Sequence, residues 1–350
     1  MTATVRVGVL NDMADLGSAA DDTADWLERE VEALRACGRI AAAVEFVHAY
    51  GLGLPSGTAE ALERAYQELV AQDVFLIVGP AIGDNALIAT PLAERMRVPT
   101  INWAGAERAR GKYMFQLQVG SHEDESLVIA RHLAESGVRR IGVLYDNSPI
   151  GTRHLKYLED EAAILGLEIV GQQSLSPLAS DAGDEVAAVL QARPDGITYL
   201  GLGISAPPVA VALRASGWAG PRIMNTAGLR GYHGDFAQVC DGWTYVDMYS
   251  DANRTLQALK GRLGIDAAGS LSAAKGHDLG RLVAEGIARA PDLSREGLRV
   301  GLEQVKWLPA AEGADGTVLG FGIHDRGALH GRYLVLRRWD DGRSVEVARA

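Results

Sequence analysis

Val74-Phe75-Leu76-Ile77-Val78-Gly79-Pro80 is the stretch on which the fold turns. Five apolar residues in a row, closed by a Gly-Pro pair, are too few for a helix. They read as a strand over residues 74–78 that is covered on both faces. Such strands belong to parallel sheets flanked by helices, and the neighbouring sequence supplies the helices. Upstream, residues 5–10 form a strand, and Leu27, Val31 and Leu34 then recur at helical spacing until Gly38. A second strand follows at 40–46, and Leu62, Tyr66, Leu69 and Val70 make the apolar face of the next helix. Downstream come a helix from about 84 to 96 and a strand at 100–103. The order β-α-β-α-β-α-β is that of a doubly wound α/β sheet.

The same grammar restarts near residue 121. Ser121-His122-Glu123-Asp124 has the spacing of a capping box, with serine first and an acid three residues later. Strands are predicted at 140–145, 167–170, 196–200 and 222–225. Between them lie a helix carrying Leu155, Leu158, Ala162 and Leu165 and closed by Gly166, a helix around 186–190, and one begun by Pro207-Pro208. Residues 243–249 read as a strand, 271–290 as a long helix, and 332–348 as a hairpin turning at Asp340-Asp341-Gly342. This remainder is too small for a third domain and completes the first two. The expected class is α/β, two doubly wound, Rossmann-like lobes in tandem.

Composition excludes several functions. The 350 residues are 47% hydrophobic and 23% charged, enough to bury two cores. A net charge of −11 with no long basic run opposes binding to nucleic acid or to an anionic membrane surface. No run of about 18 apolar residues exists, so no direct membrane insertion is expected. The N-terminus enters a strand at once without a secretory pattern, which implies a cytoplasmic chain as written and an extracytoplasmic one if a leader has been removed.

The motifs that would carry chemistry fail on inspection. Gly201-Leu202-Gly203-Ile204-Ser205-Ala206 matches G-x-G-x-x-A after a strand, but Pro207-Pro208 fills the helix opening where N–H groups should face a pyrophosphate. The next strand runs into Asn225-Thr226-Ala227 rather than an acid. Gly105 to Gly111-Lys112 has the wrong spacing for a phosphate loop, and Tyr113 stands where a hydroxyl should bind magnesium. The eight histidines show no metal-binding spacing and Cys37 and Cys240 are far apart, so neither a metal nor any other cofactor is expected. Cys37 reads as a small core residue. There is no G-x-S-x-G elbow, and no enzyme is expected.

What remains is the set of loops at the carboxyl ends of the strands, where open parallel sheets bind ligands. These are residues 11–13, 80–85, 102–105, 146–151, 201–204 and 225–228. Several of the quoted segments resemble the branched-chain amino acid (Leu/Ile/Val) binding proteins of ABC importers, which have the type I periplasmic-binding fold. Val5-Arg6-Val7-Gly8-Val9-Leu10 resembles their first strand, and Phe75-Leu76-Ile77-Val78-Gly79-Pro80 the third strand and its turn. Arg97-Val98-Pro99-Thr100-Ile101-Asn102 resembles the fourth, and Ile141-Gly142-Val143-Leu144-Tyr145-Asp146 with Gly151 the start of the second lobe. The resemblance spans nearly the whole chain. It implies a three-strand hinge, with lobe 1 built from 1–119 plus 251–325, lobe 2 from 120–250 plus 326–350, and a ligand cleft between them.

The departures from that family bear on the ligand. Its amino-acid readers are a Ser/Thr-rich turn after the third strand, a small-small-Thr turn after the fourth, and an acid after a second-lobe strand. Here the turns read Ala81-Ile82-Gly83-Asp84-Asn85 and Trp103-Ala104-Gly105-Ala106, and the acid's place holds Ala227. Ile150 and His277 stand where the family has aromatics. A zwitterion would lose much of its pairing, and a buried unpaired charge is costly. The resemblance therefore implies a small ligand with a hydrophobic body, not a plain α-amino acid, such as an aromatic acid or a lipid- or sterol-derived fragment. Its expected contacts are Asn11, Met13, Ile82, Gly83, Asn85, Asn102, Trp103, Ala104, Gly105, Asn147, Ile150, Leu202, Gly203, Ile204, Asn225, Thr226, Ala227, Tyr249 and His277. Among these, Tyr249 and His277 are candidate hydrogen-bonding partners, and Asn102, Asn225 and Thr226 are candidates to orient a carbonyl, hydroxyl or carboxylate. The implied partner is an ABC permease; the alternative is a regulatory protein, with this chain as a cytoplasmic ligand sensor of the amide-sensor type.

Overall fold

A computed structural model of the protein describes residues 3–14, 22–232, 234–265 and 269–347. The chain divides into two compact units, Met1–Val119 with Tyr249–Tyr333 and Gly120–Met248 with Leu334–Ala350.

The first unit opens with β1 (Thr4–Asn11), α1 (Thr23–Ala36), β2 (Ala43–Tyr50), α2 (Ala59–Ala71), β3 (Leu76–Val78), α3 (Gly83–Met96), β4 (Thr100–Asn102) and β5 (Met114–Gln116). Its five strands lie in the order β2-β1-β3-β4-β5 and pair only in parallel. β2 starts later than the expected 40–46 and runs on to Tyr50, because it pairs residue for residue with β1 from Thr4↔Ala43 to Asn11↔Tyr50. Leu62, Tyr66, Leu69, Ile77, Leu92 and Met114 are among the buried residues of one face.

The second unit begins with α4 (His122–Glu135), β6 (Arg140–Asp146), α5 (Pro149–Leu165), β7 (Glu168–Leu175), α6 (Gly183–Gln191), β8 (Gly196–Leu200), α7 (Ala206–Ala215) and β9 (Arg222–Met224). A 3-10 helix (Thr226–Tyr232), the short α8 (Phe236–Val239) and β10 (Thr244–Asp247) follow. Its parallel strands repeat the order of the first sheet, β7-β6-β8-β9-β10.

The chain then adds α9 (Arg254–Leu263), α10 (Gly269–Arg289) and α11 (Arg295–Glu303) to the first unit, with a small antiparallel sheet of β11 (Leu308–Pro309), β12 (Val318–Leu319) and β13 (Leu329–His330). α10 lies close against α1. A Cβ on Gly276 would come within 2.4 Å of Trp26 Cβ, and one on Gly280 within 2.8 Å of Glu30 Cβ. The final hairpin, β14 (Val335–Asp340) and β15 (Arg343–Glu346), extends the second sheet antiparallel to β10. Asp341 and Gly342 both have positive φ (50° and 71°), as a two-residue type I′ turn requires. Trp339 of this hairpin is buried, stacks on Tyr245 with ring centroids 5.0 Å apart, and donates to the Gly228 carbonyl.

Residues 326–333, expected in the second lobe, group with the first unit instead. The Ala328 N–H donates to the Gln116 carbonyl, and the Gln118 amide exchanges hydrogen bonds with the Leu329 backbone, so this segment is tied to the β5 edge. Tyr249 and Ser250 likewise fall in the first unit, where Tyr249 bridges to Gly313.

Candidate functional site

In each sheet the strand order reverses at one place, between β1 and β3 in the first and between β6 and β8 in the second. Such a switch point opens a crevice at the strand ends, next to helix N-termini that attract anions. An aspartate of the chain itself occupies both. Asp12 follows β1 and is buried. Its carboxylate accepts from the Ala81 and Ile82 N–H groups (2.8 and 3.0 Å) at the start of α3, and from Asn85 Nδ2 (2.8 Å). Asp146 ends β6 and accepts from Leu202 N (2.7 Å), Tyr199 Oη (2.9 Å) and Ser205 Oγ (2.5 Å) ahead of α7. Burial raises both carboxyl pKa values above the ordinary range, and these same donors pull them back. The glycine of the Gly201 loop is thereby explained: a Cβ there would lie 2.2 Å from Asp146 Oδ2. It admits the protein's own carboxylate rather than a pyrophosphate.

The other polar residues expected at the first unit's strand ends are also engaged inward. Asn11 caps Met13 N at 3.0 Å, leaving the Met13 side chain 53% exposed. Asn85 is fully buried, bonded to both the N–H and the carbonyl of Leu54 as well as to Asp12. Asn102 is fully buried too, its Nδ2 donating to the carbonyls of Ala109 and Phe115. Gln116, which no sequence pattern singles out, donates through its Nε2 to the carbonyls of Ala104 and Ala106. Gly83 and Ala104 are buried, while Ile82, Trp103 and Gly105 are half-buried. What these loops leave accessible is largely apolar.

His277 does not join them. Its Nδ1 lies 2.9 Å from Asp278 and its Nε2 3.6 Å from Glu30 of α1, so it lines a pocket between α1, α9 and α10 with Trp26, Leu259 and Leu263. The α10 side chain that reaches Trp103 is Lys275, two positions earlier and on another face of the helix. Lys275 is buried, with Nζ 5.3 Å from the Trp103 ring centroid and 3.8 Å from Glu312. Tyr249 donates to the same Glu312 (3.1 Å). The family resemblance pointed to His277 on this helix; the α10 side chain in contact with Trp103 is Lys275.

In the second unit Asn147 is exposed, and its N–H donates to the Leu175 carbonyl. Ile150 is buried at the start of α5, Gly203 is buried with a φ of 89°, and Leu202 and Ile204 are half-buried. Asn225 is buried and clamps Gly201, accepting from its N–H and donating to its carbonyl, with His154 Nε2 3.1 Å from the Asn225 amide nitrogen. Thr226 donates through both its N–H and its hydroxyl to the buried Glu125 (2.6 and 3.2 Å). Ala227 lies in the core with Tyr199, Met224 and Tyr245. Glu125, His154 and Lys275, besides Gln116, are residues that the sequence patterns did not single out, because each of the three acts on a loop distant in the chain.

Among the described residues no group of three or more His, Cys, Asp or Glu side chains is placed to hold a metal, and no helix is long and apolar enough to cross a membrane. Cys37 is exposed rather than a core residue: it caps the end of α1, with its thiol against the Leu34 carbonyl. Cys240 is buried and free, and burial pushes its thiol up to about 12.

The sequence matches the periplasmic binding protein family over residues 4–343. No curated protein matches the sequence significantly. Among solved structures, the chain is similar to a type 1 periplasmic binding protein from Bordetella pertussis Tohama I, with a TM-score of 0.84 and 17% identity over 98% of this chain and 100% of that one. It is also similar to a leucine binding protein from Thermotoga maritima MSB8 (TM-score 0.79, 15% identity, 98% of each chain). A third is a branched chain amino acid ABC transporter protein from Thermus thermophilus with bound valine (TM-score 0.77, 14% identity, 99% of this chain and 96% of that one). At these identities the likeness is one of fold.

Proposed function

The chain belongs to the periplasmic binding protein family, and on that premise we propose that it is the solute-binding component of an ABC importer, taking up one small, largely apolar ligand that is not a plain α-amino acid. One observation carries this reading. Most polar side chains at the strand ends are bonded within the fold: Asp12 to Asn85 of α3 and the Ala81 N–H ahead of it, Asn85 to Leu54, Asn102 through its Nδ2 to Ala109 and Phe115, Asp146 to Leu202, Asn225 to Gly201. Removing any of them from its partners to serve a ligand would strand buried donors and acceptors. The side chains left to meet a ligand are Met13, Ile82 and Trp103 in the first unit and Leu202 and Ile204 in the second, an apolar set joined by one exposed amide, Asn147.

The leucine and valine proteins of the same fold suggest an amino acid, but the substitutions here argue otherwise. Ala81, Ala106 and Ala227 supply neither the hydroxyls nor the acid that an ammonium and a carboxylate call for. Such a component acts by binding and release, without a catalytic step, on the extracytoplasmic side and next to a permease; a leader encoded upstream of Met1 would bear on that placement. The test is native mass spectrometry of the purified protein, then denaturing extraction of whatever is released. A stoichiometric hydrophobic acid or other apolar molecule is expected. Leucine or valine recovered in its place, or thermal stabilisation by these amino acids exceeding that by hydrophobic acids, would refute the ligand class.

A further inference from the structure

The hydrogen bonds around Asn225 dictate a protonation state. Gly201 N–H donates to its Oδ1 (3.3 Å) and its Nδ2 donates to the Gly201 carbonyl (3.0 Å). Turning the amide over would set nitrogen against nitrogen and oxygen against oxygen, so its orientation is fixed. The second Nδ2 hydrogen then faces His154 Nε2 at 3.1 Å, and that ring nitrogen has to accept. We propose that His154 is a positioning residue that makes the 201–204 loop proton-sensitive: a bare Nε2 holds the Asn225 clamp on Gly201, and a proton on Nε2 opposes two donors and opens it.

The surroundings leave no easy escape for an added charge. His154 is buried on α5, and the buried His122 of α4 lies against it, ring centroids 4.6 Å apart. Ser126 of α4 spends its hydroxyl on the carbonyls of His122 and His154. The nearest cation in sequence is Arg153. The carboxylates of the neighbouring elements are engaged elsewhere: Glu125 of α4 by Ser121 and Thr226, Asp146 of β6 by Leu202, Tyr199 and Ser205. Arg230 of the 3-10 helix approaches Asp146 and Gly203 rather than His154. Burial, then His122 and Arg153, hold the His154 pKa well below its ordinary value of 6.5. A base depressed on folding binds fewer protons in the native state. The stability it contributes is complete above 6.5 and is lost as the pH falls below that value toward the folded pKa. When the clamp opens, Leu202 stays tied to Asp146 and Gly203 to Tyr199, so the release is local to Gly201. If the reading of 201–204 as a ligand loop holds, the ligand is held more weakly in acid.

The test needs no ligand, so its outcome is separate from that of the transport reading. Backbone hydrogen exchange of the peptide spanning 201–204 is measured at pH 7.5 and 5 and corrected for intrinsic rates. Exchange on the order of tenfold faster at pH 5 is expected in the wild type. His154→Gln, whose amide oxygen accepts from Asn225 without titrating, is expected to show no such dependence. Protection indifferent to pH in the wild type, or a difference that survives in H154Q, overturns the proposal. Should H154Q fail to fold, 15N spectra of the wild-type imidazoles decide. A His154 Nε2 that is unprotonated at neutral pH, and gains its proton as Gly201 loses protection, supports the clamp; an Nε2 already protonated at neutral pH refutes it.

Discussion

Asp12 and Asp146 hold equivalent places in two sheets of the same strand order, each taking backbone N–H groups of the loop that leads into the next helix, where a phosphate would otherwise be drawn. The glycine motif beginning at Gly201 was legible in the sequence, and so was its mismatch with dinucleotide binding. The carboxylate that replaces the dinucleotide was not, because Asp146 lies more than fifty residues upstream. Gly201→Ala is therefore expected to push a methyl into Asp146 and cost roughly 2–4 kcal/mol of stability. Urea unfolding followed by tryptophan fluorescence measures it, and a variant as stable as wild type would show that the carboxylate relaxes freely. Lys275→Met tests the cation beside Trp103: it strips the buried Glu312 of its cationic neighbour and is expected to destabilise by about 3–5 kcal/mol. His277→Gln should leave Trp103 fluorescence unchanged, whereas K275M should alter it. The reverse pattern would return His277 to the neighbourhood of the strand-end loops.

The start of α4 shows how far local patterns reach at the scale of an element. Ser-x-x-acid marked the helix start correctly, and Asp124 N–H does donate to Ser121 Oγ. The reciprocal bond, however, runs from Ser121 N–H to Glu125, one residue further on. Glu125 also takes both donors of Thr226, so it joins α4 to the loop after β9. Ser121→Ala is expected to cost about 1 kcal/mol, as for an ordinary cap. Glu125→Ala strands three donors and should cost at least twice that by denaturant titration. Equal losses in the two variants would mean that Glu125 is only a second cap. Long elements such as β1, α3 and α10 were readable because each carries a full period of its pattern. β5 and the three strands of the small sheet span two or three residues each and carry none. Their pairing follows from tertiary bonds, such as Gln118 to Leu329.

Taken whole, the molecule consists of two units, each assembled from segments distant in sequence. The alternation of strands and helices foretold two Rossmann-like lobes, but the place where the chain returns to the second unit was set by the Gln116 backbone at the end of β5 and the Gln118 side chain just after it, which periodicity does not register. The hairpin β14–β15 supplies the second core with Trp339, and Trp339→Ala is expected to cost about 3–5 kcal/mol in that unit. Hydrogen exchange should show the loss across β9 and β10 while β1 to β4 keep their protection. Loss spread evenly over both units would mean that they unfold as one. The same connectivity sets a timetable during synthesis. As the chain leaves the ribosome, β10 is complete when Asp247 emerges, yet its antiparallel neighbour β14 does not exist until residues 335–340 are made. At about 5–20 residues per second, the flank of β10 waits on the order of several seconds with unpaired backbone groups. For that interval the nascent second unit carries an open seam, which a holdase would have reason to shelter and which a slow codon run between them would lengthen.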